Sequence, residues 1–311
     1  MTEIFQQQSA MAGLSLLPAS LRQQVLALLP DACGEIEELR LRLGKPLSYV
    51  TAGREECPGS FSGRPITDKD LGWVLETAGH GSIHAVLDQL RQGFLPVEGG
   101  HRIGICGSAV MKEGQIHNFR NISSLAIRLG REMPDIGAPL LPQLIEENRL
   151  CSTLIFSPPG CGKTTLLRDL IRCISDGVGV HPLRVSVADE RGEVCGMVLG
   201  SPQWQVGSRT DVIDGCPKAK AMLMLLRGMN PQVLATDEIT ARADIEAMEE
   251  ATGCGVALLA TAHGGAPREI LLRPIYRQMI ASGLFERFVW ISLHEGRRQY
   301  RVLRREEMMQ G

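Results

Sequence analysis

A chain of 311 residues, 44% hydrophobic and 22% charged, has room for one large or two ordinary domains with buried cores. A formal charge of −2 excludes a general electrostatic pull toward nucleic acid or anionic lipid, and 4% aromatic content argues against a stacking surface for single strands. Nine cysteines lie without C-x-x-C pairs or zinc-like Cys/His spacing and read as reduced thiols of a cytoplasmic protein; no apolar run approaches the ~20 residues that span a bilayer and the first residues lack a secretion signal, so membrane contact is expected only through a partner or a surface.

Leu14, Leu17, Leu21, Val25 and Leu28 recur at helical spacing, punctuated by Pro18 and Pro30, which predicts short amphipathic helices within 1–30. Glu38-Leu39-Arg40-Leu41-Arg42-Leu43 alternates with period two and predicts a strand with a solvated, arginine-bearing face. Residues 51–65, rich in Gly and Pro, read as an exposed excursion. Thr67 with Asp70 three residues later opens a helix through Leu71, Val74 and Leu75, and a second helix is expected at about 82–92. Residues 94–97, 101–107 and 125–129 alternate like antiparallel strands, joined by Glu98-Gly99-Gly100 and a looser stretch at 111–124. An α+β domain over 1–135, a linker over 136–150 and a second domain over 151–311 follow.

In the second domain, segments 153–156, 163–175, 183–188, 217–228, 232–236, 243–252 and 256–261 alternate between strand and helix, which predicts a parallel sheet with helices on both faces. Residues 288–293 and 299–303 read as an antiparallel hairpin whose arginines 297, 298, 301, 304 and 305 form a solvated face or a docking surface.

The chemistry centres on Ser157-Pro158-Pro159-Gly160-Cys161-Gly162-Lys163-Thr164-Thr165, between an apolar strand and a helix. Such a loop leaves unpaired N–H groups at the helix start, where the macrodipole also favours an anion. Lys163 then reaches the β/γ-phosphates of ATP, and the Thr164 hydroxyl completes the shell of Mg²⁺. The strand 232–236 ends in Asp237, suited to holding Mg²⁺ through water, and Glu238, suited to orienting or deprotonating the attacking water. Two further strands end in Asp189-Glu190-Arg191-Gly192-Glu193 and Thr261-Ala262-His263, with His263 placed to sense the γ-phosphate. The choice of water-activating group among Glu190, Glu193 and Glu238 stays open.

Asp189-Glu190-Arg191-Gly192-Glu193 resembles the Asp box of type II and type IV secretion ATPases, the stretch from Leu226 to Glu238 their Walker B region, and Thr261-Ala262-His263 their His box. A closer resemblance is to the stage III sporulation AA family, carried by residues 36–42, by Gly99-Gly100-His101-Arg102-Ile103-Gly104, by residues 209–219, and by Asp237-Glu238-Ile239. Departures are Ser157 at the leading glycine position and Thr240 where glycine is expected. The resemblance implies a RecA-like P-loop ATPase domain preceded by the smaller α+β domain, the two moving against each other during hydrolysis. It also implies a homo-oligomeric, hexameric ring in the mother-cell cytoplasm at the base of a channel to the forespore, with other stage III sporulation proteins as partners. In such rings the nucleotide lies between subunits and arginines from the amino-terminal domain or the neighbouring subunit neutralise the γ-phosphate, with Arg102, Arg128 and Arg209 the candidates. The competing readings are a nucleic-acid-linked ATPase, which the charge balance disfavours, and a nucleotide-binding scaffold without turnover.

Overall fold

The computed structural model describes residues 11–28, 36–51, 53–57, 64–79, 94–112, 115–130, 132–294 and 297–310. The chain clusters into two compact units, one of residues 1–132 with 198–203, the other of 133–197 with 204–311.

In the first unit, α1 (Ala19–Leu28) follows Pro18, and β1 (Ile36–Arg42) pairs antiparallel with β2 (Ser48–Thr51), which pairs with β3 (Arg54–Glu56). The expected excursion at 51–65 therefore contributes a short edge strand. Helix α2 (Asp68–Ala78) opens as expected. Thr67 and Asp70 form a reciprocal capping box, and Arg64 binds the Asp70 carboxylate through two nitrogens at 2.6 and 2.7 Å. The helix expected at 82–92 lies outside the described residues. β4 (Phe94–Val97), β5 (His101–Lys112) and β6 (Gln115–Arg128) complete a six-stranded antiparallel sheet in the order β3-β2-β1-β6-β5-β4. The stretch at 111–124 is not a loose connection: β5 and β6 continue through most of it as a two-stranded arm with two register shifts. Beyond Ile105 the β5 side chains are half-buried or exposed, so this part of the ladder rests on cross-strand pairing and leaves no apolar alternation in the sequence. Leu39, Leu41, Ile103, Leu125 and Ile127 form the buried face, covered by Leu17 and by Leu21, Val25, Leu71 and Val74 from the helices.

In the second unit, residues 136–150, expected as a linker, fold into the short helix α3 (Leu141–Leu144) and the small hairpin β7 (Ile145–Glu146) and β8 (Arg149–Leu150); Leu140, Leu141, Leu144 and Leu150 are core residues. Then come β9 (Thr153–Ser157), α4 (Lys163–Asp176), β10 (Val185–Asp189), β11 (Thr210–Asp214), α5 (Lys218–Met229), β12 (Val233–Thr236), α6 (Arg242–Gly253), β13 (Ala257–His263), α7 (Pro267–Leu272), α8 (Pro274–Ser282), β14 (Arg287–His294), β15 (Arg297–Arg304) and α9 (Arg305–Gln310). The sheet order is β11-β10-β12-β13-β9-β14-β15, parallel up to β14, with β15 antiparallel at the edge.

Successive residues of the central strands feed two different cores. Ile155, Val185, Val187, Val233, Leu259 and Val289 pack with Leu166, Leu167, Leu170 and Ile174 of α4. Leu154, Phe156, Leu234, Leu258, Ala260 and Phe288 pack with Met222 and Leu225 of α5, Met248 of α6 and Met279 of α8. A sheet buried on both faces needs the short, mostly apolar strands seen in the sequence. Strand β11, Thr-Asp-Val-Ile-Asp, was not expected, because it is polar and half-exposed and exists by pairing with β10.

Candidate functional site

Strand β9 is buried along its length and delivers the chain at Ser157 into the phosphate loop. Gly160 at φ +75° and Gly162 at φ +91° take the left-handed conformation that glycine adopts without steric cost, which turns the chain directly into α4. Ser157 is fully buried, lies outside the positive-φ positions and donates its hydroxyl to the Pro158 carbonyl at 2.8 Å, so the missing leading glycine leaves no strain. Pro159 and Gly160 are exposed at the tip, Cys161 is buried beneath it, and Thr164 and Thr165 stand half-buried in the first turn of α4.

The Lys163 side chain is 7% exposed and folds back over the loop. Its Nζ donates to the carbonyls of Ser157 and Pro158, both at 3.1 Å, and lies 3.0 Å from His263 Nδ1. An ammonium group only donates, so Nδ1 is the acceptor and the imidazole proton sits on Nε2, which faces Glu238 Oε1 at 3.3 Å. Burial lowers the Lys163 pKa from its ordinary value, and the carboxylate of Asp237 works in the opposite direction. A continuous polar path thus runs from the loop lysine through His263 to Glu238.

The end of β12 is equally constrained. Asp237 Oδ2 accepts from the Thr164 hydroxyl at 2.7 Å, and Oδ1 accepts from the Thr261 hydroxyl and from the Glu238 amide at 3.0 Å. The Glu238 amide also donates to Thr261 Oγ1 at 2.8 Å. Glu238 is held at φ +44°, a left-handed conformation uncommon outside glycine and frequent where surrounding structure over-determines a functional side chain. Its carboxylate meets Arg191 at 3.0 Å as well as His263. The Lys218 ammonium, at the start of α5, donates to the carbonyls of Asp237 (3.0 Å) and Glu238 (2.6 Å). Thr240 donates its amide to Asp244 Oδ2 at 3.1 Å at the entry to α6, again without positive φ, so glycine is not required there.

The acids after β10 divide by role. Asp189 is 2% exposed and accepts the amides of Glu193, Val194 and Cys195, folding the following loop back; burial raises its pKa despite these three bonds. Glu190 accepts the Lys218 amide at 3.1 Å, at the amino end of α5. Glu193 lines, with Asp189, Glu190, Arg191, Lys218, Asp237 and Glu238, a crevice of about 10 Å³, the scale of a single water molecule. The sheet order makes the ends of β10, β12, β13 and β9 neighbours, so the sequence-predicted loop, acids and histidine share one edge.

Within its own chain Arg209 lies apart from the phosphate loop. It precedes β11, at the opposite edge of the sheet, where its guanidinium donates to the Ser175 carbonyl at 3.0 Å in the last turn of α4. That turn lies about 18 Å along the helix axis from Lys163. Arg102 and Arg128 face each other across β5 and β6 in the first unit; Arg128 bonds Glu38 at 3.1 Å, and Arg102 lies 4.9 Å from the Phe94 ring centre. Sequence reasoning missed Lys218 and Arg191 as site residues, although Lys218 stands in the family-specific stretch 209–219 and Arg191 among the acids of 189–193; nothing local to either signals a bond to the β12 turn or to Glu238.

Two other features are excluded as the phosphate site. A cavity of about 430 Å³ at the amino edge is faced by the carboxyl ends of α5 and α6, whose carbonyls disfavour an anion, and its Arg149 is engaged by Glu286. Asp135, Asp169 and Cys173 lie close enough to hold a metal, but the Arg172 guanidinium bridges both carboxylates at 2.7 and 2.8 Å and supplies the compensating charge.

The family model for sporulation stage III, protein AA, matches residues 7–304. The stage III sporulation protein AA of Bacillus subtilis (strain 168) is 35% identical over 281 residues, covering 90% of each chain. Among solved structures, the pilus retraction motor PilT with bound ADP aligns at a TM-score of 0.58 and 16% identity over 92% of this chain and 86% of that one. The Legionella pneumophila ATPase DotB aligns at 0.57 and 15% identity over 94% and 83%. At these identities the likeness establishes the fold alone, which this chain shares with PilT and DotB: a parallel-rich α/β sheet preceded by an antiparallel sheet domain.

Proposed function

The chain belongs to the stage III sporulation AA family, and from that premise we propose that it is a Mg²⁺-dependent ATP hydrolase working as a motor of the secretion type. The observation that carries this reading is the bond from the Thr164 hydroxyl to Asp237 Oδ2 at 2.7 Å, beside the amino end of α4. It brings two hard oxygen donors together where a triphosphate on the loop amides would present its own, a donor set that suits Mg²⁺. When bound, Mg²⁺ supplies charge neutralisation at the β- and γ-phosphates.

The protein's own groups do the rest. Loop amides from Gly160 to Thr165 hold the phosphates, and Lys163 exchanges loop carbonyls for β/γ-phosphate oxygens. Glu238 orients the attacking water, its carboxylate aimed by Arg191 and His263. His263 links the position of Lys163 to that of Glu238, so phosphate occupancy is felt at the water-orienting group. Glu190 and Glu193 line the same water-sized crevice as Glu238. The motor assembles as a homo-oligomeric, hexameric ring with Arg102, Arg128 or Arg209 supplied to a neighbour's γ-phosphate. It works in the mother cell at a channel to the forespore with other stage III sporulation proteins. Among the described residues no helix is long and apolar enough to cross a membrane, which supports attachment through those partners.

Lys163→Ala abolishes phosphate release, and specific activity of the unmodified chain rises with protein concentration as shared sites form. Near-normal turnover by the variant overturns the assignment; nucleotide-dependent assembly with no phosphate release by the unmodified chain supports a scaffold instead.

A further inference from the structure

The hairpin of β14 and β15 lies on the side of β9 opposite to β13 and β12. His263, Asp237 and Glu238, the groups suited to the γ-phosphate and water, all belong to the β13 and β12 side. A nucleotide bound as proposed above therefore directs its α-phosphate and nucleoside toward the hairpin. The hairpin places one cation against the loop: Cζ and Nε of Arg298 stand 3.1 Å from the point where a Cβ on Gly162 would lie. Among the described residues no carboxylate pairs with Arg298. Its Nη1 is 3.3 Å from Met133 Sδ, and it touches the half-buried Tyr300, whose phenol pKa is raised by burial and pulled back by this guanidinium. An exposed guanidinium resting on a phosphate loop, without an acid to neutralise it, is placed to complete the charge of an anion on that loop.

We propose that Arg298 is a nucleotide-contacting residue of the same chain, holding the α-phosphate of a nucleoside di- or triphosphate from the hairpin side of the loop. This rests on the ATPase reading. It also gives Gly162 a second reason to lack a side chain, since any Cβ there would displace the arginine.

Calorimetric titration of the full chain with ADP and with ATPγS, in Mg²⁺ buffer, tests it. Arg298→Ala weakens both ligands by the same factor, about tenfold, the scale of one charge-assisted hydrogen bond at a partly exposed site; Arg298→Lys recovers part of that loss. Unchanged affinity for both ligands overturns the proposal, as does a loss confined to ATPγS, which would move the arginine to the γ-phosphate. Arg298→Gln, which retains the length and polarity of the side chain, serves if the alanine variant does not fold, with the same expected loss. Absence of binding by the unmodified chain, or equal binding by Lys163→Ala, overturns the ATPase reading and this proposal together, and is distinguishable from failure of Arg298 alone.

Discussion

Thr261→Val separates the geometry of the β12 turn from the phosphate loop. The Thr261 hydroxyl is wholly buried, donates to Asp237 Oδ1 and accepts the Glu238 amide at 2.8 Å, while Lys163 and the loop amides make no bond to it. Valine keeps the branched shape and removes both bonds. The charge-assisted one is worth about 1.5–3 kcal/mol and the amide bond about 1 kcal/mol. Glu238 sits at φ +44°, a conformation that costs on the order of 1 kcal/mol and is maintained by these same bonds. The expected local loss is therefore about 2–4 kcal/mol, part of which appears as misplacement of the water-orienting carboxylate. At tenfold per about 1.4 kcal/mol, kcat falls about 10- to 100-fold, while KM for ATP stays within about threefold. Steady-state phosphate release across ATP concentrations reads both constants. A folded variant with kcat within twofold of the unmodified chain, or with KM raised at constant kcat, refutes the role given to Thr261.

Lys218→Met leaves the Asp237 and Glu238 carbonyls without the ammonium that binds them, and the lysine is only 6% exposed. Urea unfolding is expected to show a loss of about 1–3 kcal/mol, with turnover reduced at least about tenfold; an unchanged midpoint refutes it. Asp70→Ala removes the capping box of α2 and the paired contact with Arg64, at a cost of about 2–4 kcal/mol. Because the Arg64 guanidinium and the Thr67 bonds hold the Asp70 carboxyl well below its usual range, its contribution is complete above pH about 4 and declines as the pH falls further. Hydrogen exchange of the α2 amides in variant and unmodified chain is expected to differ at neutral pH and to converge toward pH 2; a difference that grows with acidity contradicts the assignment.

Much of this was legible beforehand. The phosphate loop needed only local information, because glycine, lysine and two threonines at fixed offsets between a buried strand and a helix have few other physical uses. The alternating strands and helices after residue 150 were legible because a sheet buried on both faces imposes short apolar runs. The polar strand β11 and the outer part of the β5–β6 arm were not, since each exists through pairing with a distant segment and carries no apolar signature of its own. The edge position of Arg209 depended on β11 in turn.

What the linear chain determined by itself is which side chains follow or end its strands: Lys163 and Thr164 opening the helix after the phosphate loop, Asp237 and Glu238, Thr261 and His263. Tertiary structure alone decided how they bond. The order of parallel strands is set by packing two cores against opposite faces of one sheet, and that order makes His263 the bridge between Lys163 and Glu238, gives Asp237 two hydroxyl donors, one from helix α4 and one from strand β13, and rests Arg298 against Gly162.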